Sequence, residues 1–385
     1  MMGHELLFFP DYRVANPYQQ LLYDHAGGWL HPRPAPVAEA LELLRRKGPD
    51  ERVIFHLHWE DAAYRNEADE PAAWRAAQVF LDDLGAFVDA GGRLLWTLHN
   101  TAPHDARYLA VHEALVARLP ALADIVHVHS RTGAAFAAGR LGVAPERVAV
   151  VPHGNYLPLH RPRGGPQAAS RAALGLPEDG RRVLLLFGRL GAYKGGAELL
   201  GALAASAAGP DGQDGPRLLV AGKQVEPLGP RLDGLPDAVR ARVVVRDGFV
   251  PEGEVETLFH AADAVVLPYR AILTSGAALL ALSLARPVIA PALPSLAELL
   301  EDGRDALLYD PGDADGLAGA LRRFAALAPG RLVEMQAAAL ATAAERHDWR
   351  QGGLLLDGLM RRLVAMRRPM RVPRSPTASG GAGYG

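Results

Sequence analysis

Short apolar, β-branched runs alternate along this chain with longer stretches whose apolar positions recur three and four residues apart. In the first half, residues 6–9, 52–59, 93–98, 125–129 and 148–151 have the pattern of strands. Residues 37–47, 74–90 and 111–122 have that of helices, and Gly91-Gly92 stops the second of them. A break at Asn16-Pro17 leads into another helical run through Tyr18, Leu21 and Leu22. The stretch 157–167 is rich in Pro, Arg and Gly and has no apolar period, so it reads as a linker. Beyond it the alternation restarts. Strands are predicted at 183–187, 218–222, 243–245, 264–268, 287–290 and 306–309, and helices at 197–207, 252–262, 277–284, 317–327 and 332–346. Strands this apolar are covered on both faces, and short links between alternating elements imply parallel sheets with right-handed crossovers. The expected fold class is α/β, with two Rossmann-like, doubly wound parallel-sheet domains at residues 1–156 and 169–346, joined by a linker at 157–168.

Composition narrows the function classes without choosing one. With 385 residues the chain exceeds one ordinary core, and 49% hydrophobic against 22% charged residues is usual for a globular protein. A formal net charge of −2 gives no global attraction to nucleic acid, so no nucleic-acid partner is expected. There is no cysteine, which excludes disulfides and thiolate chemistry and is compatible with a cytoplasmic location. The apolar patch at 6–9 is too short for a signal peptide or a membrane span. The tail 367–385, rich in Pro, Gly, Ser and Arg, is expected to be disordered.

Chemistry concentrates where predicted strands end. Thr274 and Ser275 are good N-cap residues, Gly276 permits close approach to the backbone, and the helix behind them ends at Arg286-Pro287. A helix starting at a strand's carboxyl end aims free N–H groups into the sheet crevice, which makes this either an anion site or an ordinarily capped buried helix. Gly188, Arg189 and Lys194 lie in a second such loop, either as a diphosphate clamp or as solvated loop charges. His56 and His58 share one strand face, as do His127 and His129, but no cysteine or evident third ligand joins them, and no metal is expected. His99 stands at a strand end, where a neutral imidazole oriented by Asp105 or Glu60 can act as a general base. One of those carboxylates could be the base instead, and His99 could equally be a hydrogen-bonded histidine at a domain rim.

These pieces, in this order, resemble the GT-B glycosyltransferases, in particular the nucleotide-sugar-dependent family 4. The resemblance rests on Phe187-Gly188-Arg189 with Tyr193-Lys194-Gly195, Gly248-Phe249-Val250-Pro251 with Glu254, and Ala262-Asp263 with Leu267-Pro268-Tyr269. Further matches are Arg286-Pro287-Val288-Ile289-Ala290, Glu298, Asp302-Gly303 and Asp310-Pro311-Gly312-Asp313, together with Trp96-Thr97-Leu98-His99-Asn100 and Val151-Pro152-His153-Gly154 in the first half.

The resemblance implies two domains facing across a cleft. A nucleotide-diphosphate sugar would bind the second domain as substrate, with no separate cofactor, and a glycan or lipid-linked acceptor would bind the first. Arg189 and Lys194 would hold the diphosphate with Ser275 and Gly276, Phe249 and Val250 would flank the nucleobase, and His99 would face the transferred sugar. No divalent metal is implied, because the cations and the helix end stabilise the leaving group. Residues 347–366 would form a helix returning to the first domain. Arg361, Arg362, Arg367, Arg368 and Arg371 are either a solvated tail or a peripheral contact with the inner face of a membrane. One departure matters. Family 4 proteins usually carry two glutamates separated by seven residues, and here Ile272 and Leu280 stand in their places. That variant is similar to bacterial exopolysaccharide mannosyltransferases that use GDP-mannose, including inverting ones, for which the base is sought among His99, Asp105, Glu60 and His58. The rivals are a non-catalytic sugar-nucleotide or glycan-binding protein and a nucleotide-sugar epimerase or hydrolase.

Overall fold

The computed structural model describes residues 4–14, 16–48, 50–100, 107–206 and 215–366. Among them, two six-stranded sheets form, and every strand pairing is parallel. The first holds β1 (Glu5–Phe9), β2 (Pro32–Pro34), β3 (Val53–Leu57), β4 (Arg93–Thr97), β5 (Ile125–Val128) and β6 (Val148–Val150), in the spatial order β2-β1-β3-β4-β5-β6. The second holds β7 (Val183–Phe187), β8 (Arg217–Gly222), β9 (Val243–Asp247), β10 (Ala264–Val266), β11 (Val288–Pro291) and β12 (Ala306–Tyr309), ordered β12-β11-β10-β7-β8-β9. From β7 the chain winds to one side and from β10 to the other. The crevice between the carboxyl ends of these two strands is therefore the switch point where doubly wound sheets bind ligands.

Burial explains why most strands were legible. Every residue of β3, β4, β8 and β11 is buried, so each must be apolar or internally paired. The strand without a sequence signal is β2, Pro-Arg-Pro, which pairs with β1 through Leu6↔Pro32. A proline there is tolerated because β2 lies at the sheet edge. The helix expected at 74–90 begins earlier, at Glu70, where Asp69 accepts the Ala72 N–H at 2.8 Å and caps a first turn with no apolar period. A short helix, Gln167–Ala173, begins within the stretch read as linker.

One apolar core crosses from domain to domain. It joins Leu6, Phe8 and Ile54 of the first sheet to Leu185, Val265 and Ala278 of the second, and includes Trp349 and Leu356. These last two lie on the helix Trp349–Ala365, which packs against the helix Tyr18–Asp24. Trp29 Nε1 donates to Asp357, and Arg93 donates to the Met366 carbonyl, so this helix is also tied by polar contacts to the first domain. The Trp349 ring lies over Gly154, where a Cβ would come within 2.2 Å of the indole. Its Nε1 donates to the Asn155 carbonyl at 2.5 Å, and the Asn155 N–H donates to the His347 carbonyl at 2.7 Å. The chain thus passes between domains at two adjacent, mutually bonded places. Truncating Trp349 to alanine would cost about 3–5 kcal/mol by its burial alone.

Candidate active site

Serine 275 begins the helix Gly276–Ser283 in extended geometry, and its Oγ accepts the Ala278 N–H at 3.1 Å. A helix leaves its first N–H groups without internal partners, and this cap takes one. Those of Gly276 and Ala277 are left at the positive end of the helix, where an anion is favoured. Gly276 has a second reason to lack a side chain: a Cβ would sit 2.9 Å from the Tyr156 hydroxyl and 4.0 Å from His153 Nε2. The first domain therefore reaches directly to the helix start.

The loop after β7 is moulded by backbone contacts. Gly188 (φ 101°) donates its N–H to the Ala221 carbonyl at 3.0 Å, and a Cβ on Gly222 would approach the Gly188 carbonyl oxygen to 1.9 Å. Lys194 is buried within this loop, donates from Nζ to the Phe187 carbonyl at 2.7 Å, and lies 5.6 Å from the centre of the Tyr269 ring. Burial lowers its pKa to about 8. Tyr269 shares a 3.0 Å hydrogen bond with Ser275 Oγ, so one ring bridges the lysine and the helix cap across the switch point. Arg189 is exposed on the same loop. Thr274 lines the cleft beside Ser275. Phe249 is 79% exposed and Val250 is half buried against the core. Both follow β9, two strands from β7 and so about 10 Å along the sheet edge, which suits a flat group carried at a distance from the phosphates.

Opposite this edge, the first sheet presents six buried histidines: His56 and His58, His99, His127 and His129, and His153. Burial is the largest cause of a lowered pKa in each, to about 3 for His56, His127, His129 and His153 and well below the ordinary range for His58 and His99. All are neutral at pH 7. Backbone carbonyls can only accept, and this fixes several tautomers. His129 donates from Nδ1 to the Val151 carbonyl at 3.0 Å, His153 from Nδ1 to that of Gly154 at 2.7 Å, and His347 from Nδ1 to that of His153 at 3.0 Å. The Nε2 atom of each is therefore a bare lone pair.

These three rings, with Thr274, Ser275 and Glu298, line a cleft cavity of about 240 Å³. Two buried polar atoms on the histidine side, His129 Nε2 and Tyr18 OH, have no partner among the described residues. Imidazole lone pairs suit the hydroxyls of a sugar and the helix end suits an anion, while Lys194 lines a separate small pocket with Gly191 and Gly196. The cleft is thus divided chemically between its two walls.

The remaining expected site residues lie elsewhere. His99 stacks on Trp59 (4.2 Å between centres, 10° between planes), lies behind His129 with ring centres 5.4 Å apart, and is not part of the cavity wall. Glu60 accepts from Trp96 Nε1 at 3.3 Å, and burial raises its pKa to about 8. It faces His112 at 3.9 Å, but burial also lowers that imidazole to about 4, so the contact joins two neutral groups and is no ion pair. Asp105 lies outside the described residues. His129, His153 and His347 are cleft histidines that sequence reasoning did not name as site residues. The signal for the first two was available in the spacing of His127 and His129 and in the Pro152-His153-Gly154 loop. No group of three His, Asp or Glu among the described residues is arranged to hold a metal ion.

Two parallel-sheet domains facing across a cleft, with the amino end of a buried helix on one wall, form a GT-B architecture. The chain belongs to the group 1 glycosyltransferases: residues 181–326 match the family model "Glycosyl transferases group 1", and relatives span most of its length. It is 30% identical over 351 residues to a GDP-mannose:glycolipid 4-beta-D-mannosyltransferase of Xanthomonas campestris pv. campestris, covering 88% of this chain and 86% of that protein. A D-inositol 3-phosphate glycosyltransferase of Acidothermus cellulolyticus is 31% identical over 240 residues, 60% of this chain and 52% of that one. Among solved structures, Anabaena HepE in complex with UDP-glucose superposes with a TM-score of 0.69 at 18% identity, covering 93% of this chain and 100% of that chain. Sucrose-phosphate synthase from Thermosynechococcus elongatus does so with 0.65 at 20% identity, covering 94% and 100%. The protein is accordingly an enzyme of the hexosyltransferase type.

Proposed function

We infer that this enzyme transfers mannose from GDP-mannose to a lipid-linked glycan, with inversion at the anomeric carbon. The observation that carries the reading is the division of the cleft: the helix cap at Thr274 and Ser275 lies across the cavity from neutral imidazoles at His129 and His153, with Ile272 and Leu280 where the family's paired glutamates usually stand. The relationship to the Xanthomonas mannosyltransferase supports the donor, and the glycolipid in that protein's name supports the acceptor.

In the proposed reaction an acceptor hydroxyl oxygen attacks the anomeric carbon as the bond to the diphosphate oxygen breaks, and an imidazole takes the hydroxyl proton. Lys194, Arg189 and the helix end stabilise the departing diphosphate. Phe249 and Val250 flank the base. Of the four residues considered for the proton, His99 and His58 are neutral and have a free lone pair or can expose one, Glu60 is largely protonated at pH 7 and cannot accept it, and Asp105 stays an open candidate. No helix among the described residues is long and apolar enough to cross a membrane.

The test begins with thermal stabilisation by GDP, UDP, GDP-mannose and UDP-glucose. A ligand at about 100 times its dissociation constant adds roughly 2.7 kcal/mol to stability. Stabilisation by the guanine pair only, followed by transfer of labelled mannose to a bacterial glycolipid extract with a β-linked product, is the expected outcome. A preference for UDP would overturn the donor assignment, and donor binding without turnover in any acceptor mixture would favour a sugar-nucleotide-binding protein instead.

A further inference from the structure

A single hydrogen-bonded file of side chains runs through the buried histidines, and its direction can be derived. His127 Nε2 lies 3.0 Å from the Val151 carbonyl, which can only accept, so this nitrogen carries the proton and Nδ1 is bare. Thr97 Oγ1, at 2.8 Å, must then donate to His127 Nδ1. Having spent its hydrogen, the hydroxyl accepts from His56 Nε2 at 2.7 Å. His56 Nδ1 is consequently bare and accepts from the Tyr23 hydroxyl at 2.8 Å, which in turn accepts from His58 Nε2 at 2.8 Å. His58 Nδ1 is left to accept from His99 Nε2 at 3.2 Å. The last bond leaves one nitrogen of the file unassigned, His99 Nδ1, and it has no proton.

We propose that this file sets the tautomer of His99, making Tyr23, His56, His58, Thr97 and His127 positioning residues that hold its Nδ1 bare. Reversing the file would set the His127 Nε2 lone pair against the Val151 carbonyl oxygen, and an unmade buried hydrogen bond is costly. All five members are at least nine-tenths buried, so water does not substitute for a missing link. Every ring is neutral, which the one-proton-per-imidazole argument requires. His129, His153 and Tyr18 also stand around His99, but the two histidines have their own protons committed to backbone carbonyls and Tyr18 meets the ring edge-on. The catalytic consequence rests on the reading above that His99 serves the transfer. The tautomer itself does not.

Thr97 is the diagnostic position, because valine has its shape but not its hydroxyl. In Thr97→Val, His127 keeps its bond to Val151 but no longer orients His56, so both directions of the His56–Tyr23–His58–His99 segment become comparable. The experiment is long-range proton–nitrogen correlation on protein labelled with nitrogen-15 histidine at pH 7.5, with His99 assigned by loss of its signal in His99→Gln. Expected are a single Nε2–H tautomer in the parent, a mixture in Thr97→Val, and restoration in Thr97→Ser, with circular dichroism unchanged throughout. A His99 tautomer unaltered in Thr97→Val, or a parent already mixed, overturns the proposal. Transfer rates on the same variants answer the separate question. If the tautomer shifts while kcat does not, the file is supported and the role of His99 in transfer falls.

Discussion

Glu298 of the second domain closes the amino end of a helix in the first: its Oε2 accepts the Arg131 backbone N–H at 2.9 Å. The same carboxylate accepts from the N–H and hydroxyl of Thr132, where the helix Arg131–Leu141 begins. The domains are thus joined at the cleft margin by a charge resting on a helix dipole.

Glu298→Gln should loosen this joint. The hydrogen bonds to Thr132 and Arg131 outweigh burial and lower the Glu298 pKa, so the native state favours the charged form. Its contribution, about 1 kcal/mol for a helix-end carboxylate, is present above the ordinary carboxylate pKa and is lost as pH falls through the native value. Urea denaturation of parent and variant should differ at pH 7 and converge at low pH. Equal stability at pH 7 would show that the contact is energetically silent.

Glu60→Gln should act in the opposite sense. The native carboxyl keeps its proton up to about pH 8, while an unfolded one releases it near 4.5, so folding takes up a proton between these values. Stability therefore falls as pH rises through that window, by on the order of 3 kcal/mol at pH 7. Glutamine keeps an acceptor for Trp96 Nε1 and carries no such cost, so the variant should be the more stable protein at pH 7, with the gain disappearing by pH 4.5. Transfer activity should survive. A Glu60→Gln protein that folds normally but has lost transfer would restore Glu60 as a catalytic candidate.

Lys194 should make donor binding depend on pH. Its pKa of about 8 in the free protein reflects burial, and a diphosphate beside it favours the charged form. Above pH 8, binding must then take up a proton, and affinity for a nucleoside diphosphate should fall by up to about tenfold per pH unit. Calorimetry in buffers of different ionisation enthalpy would read the proton directly. Lys194→Ala should bind more weakly at pH 7 and show no such uptake. A parent with pH-independent affinity from 7.5 to 9 would place the lysine away from the phosphates.

The buried histidines should make the protein acid-labile. Those with native pKa values of about 3 stay neutral on folding, whereas unfolded histidine protonates near 6.5. The unfolded state binds more protons between these values, so stability declines as pH drops below 6.5, by about 2 kcal/mol per such histidine at pH 5. Typical total stability is about 5–15 kcal/mol, so cooperative unfolding is expected near pH 5 by circular dichroism. A native signal retained to pH 4 would mean that the cluster accepts protons while folded.

Much of this molecule was legible before any coordinates, for identifiable reasons. A strand buried on both faces must be apolar throughout, so β7 and β10 declared themselves, and a strand leading into Thr274-Ser275-Gly276 and an unbroken helix marked the capped helix that begins at Ser275. The edge strand Pro32–Pro34 was silent because an edge position needs neither apolar residues nor a full set of N–H donors.

Local pattern also pointed to the histidines, since residues two apart on a strand share a face, but it could not rank them. His99 and His129 are both single imidazoles at strand ends. Only the packing of Trp59 over one ring, and the approach of the second domain to the other, decides which lines the cleft. Glu60 carries the same carboxyl as Glu298, and its protonation follows from a desolvation that no sequence neighbour imposes. The sequence by itself determined which segments fold into two sheets and where a capped helix would open into the sheet crevice, because both follow from periodicity and backbone geometry. The tertiary structure alone decided which side chains are neutral, which tautomer they hold and which face the cleft, because burial and hydrogen-bond direction depend on residues far apart in the chain.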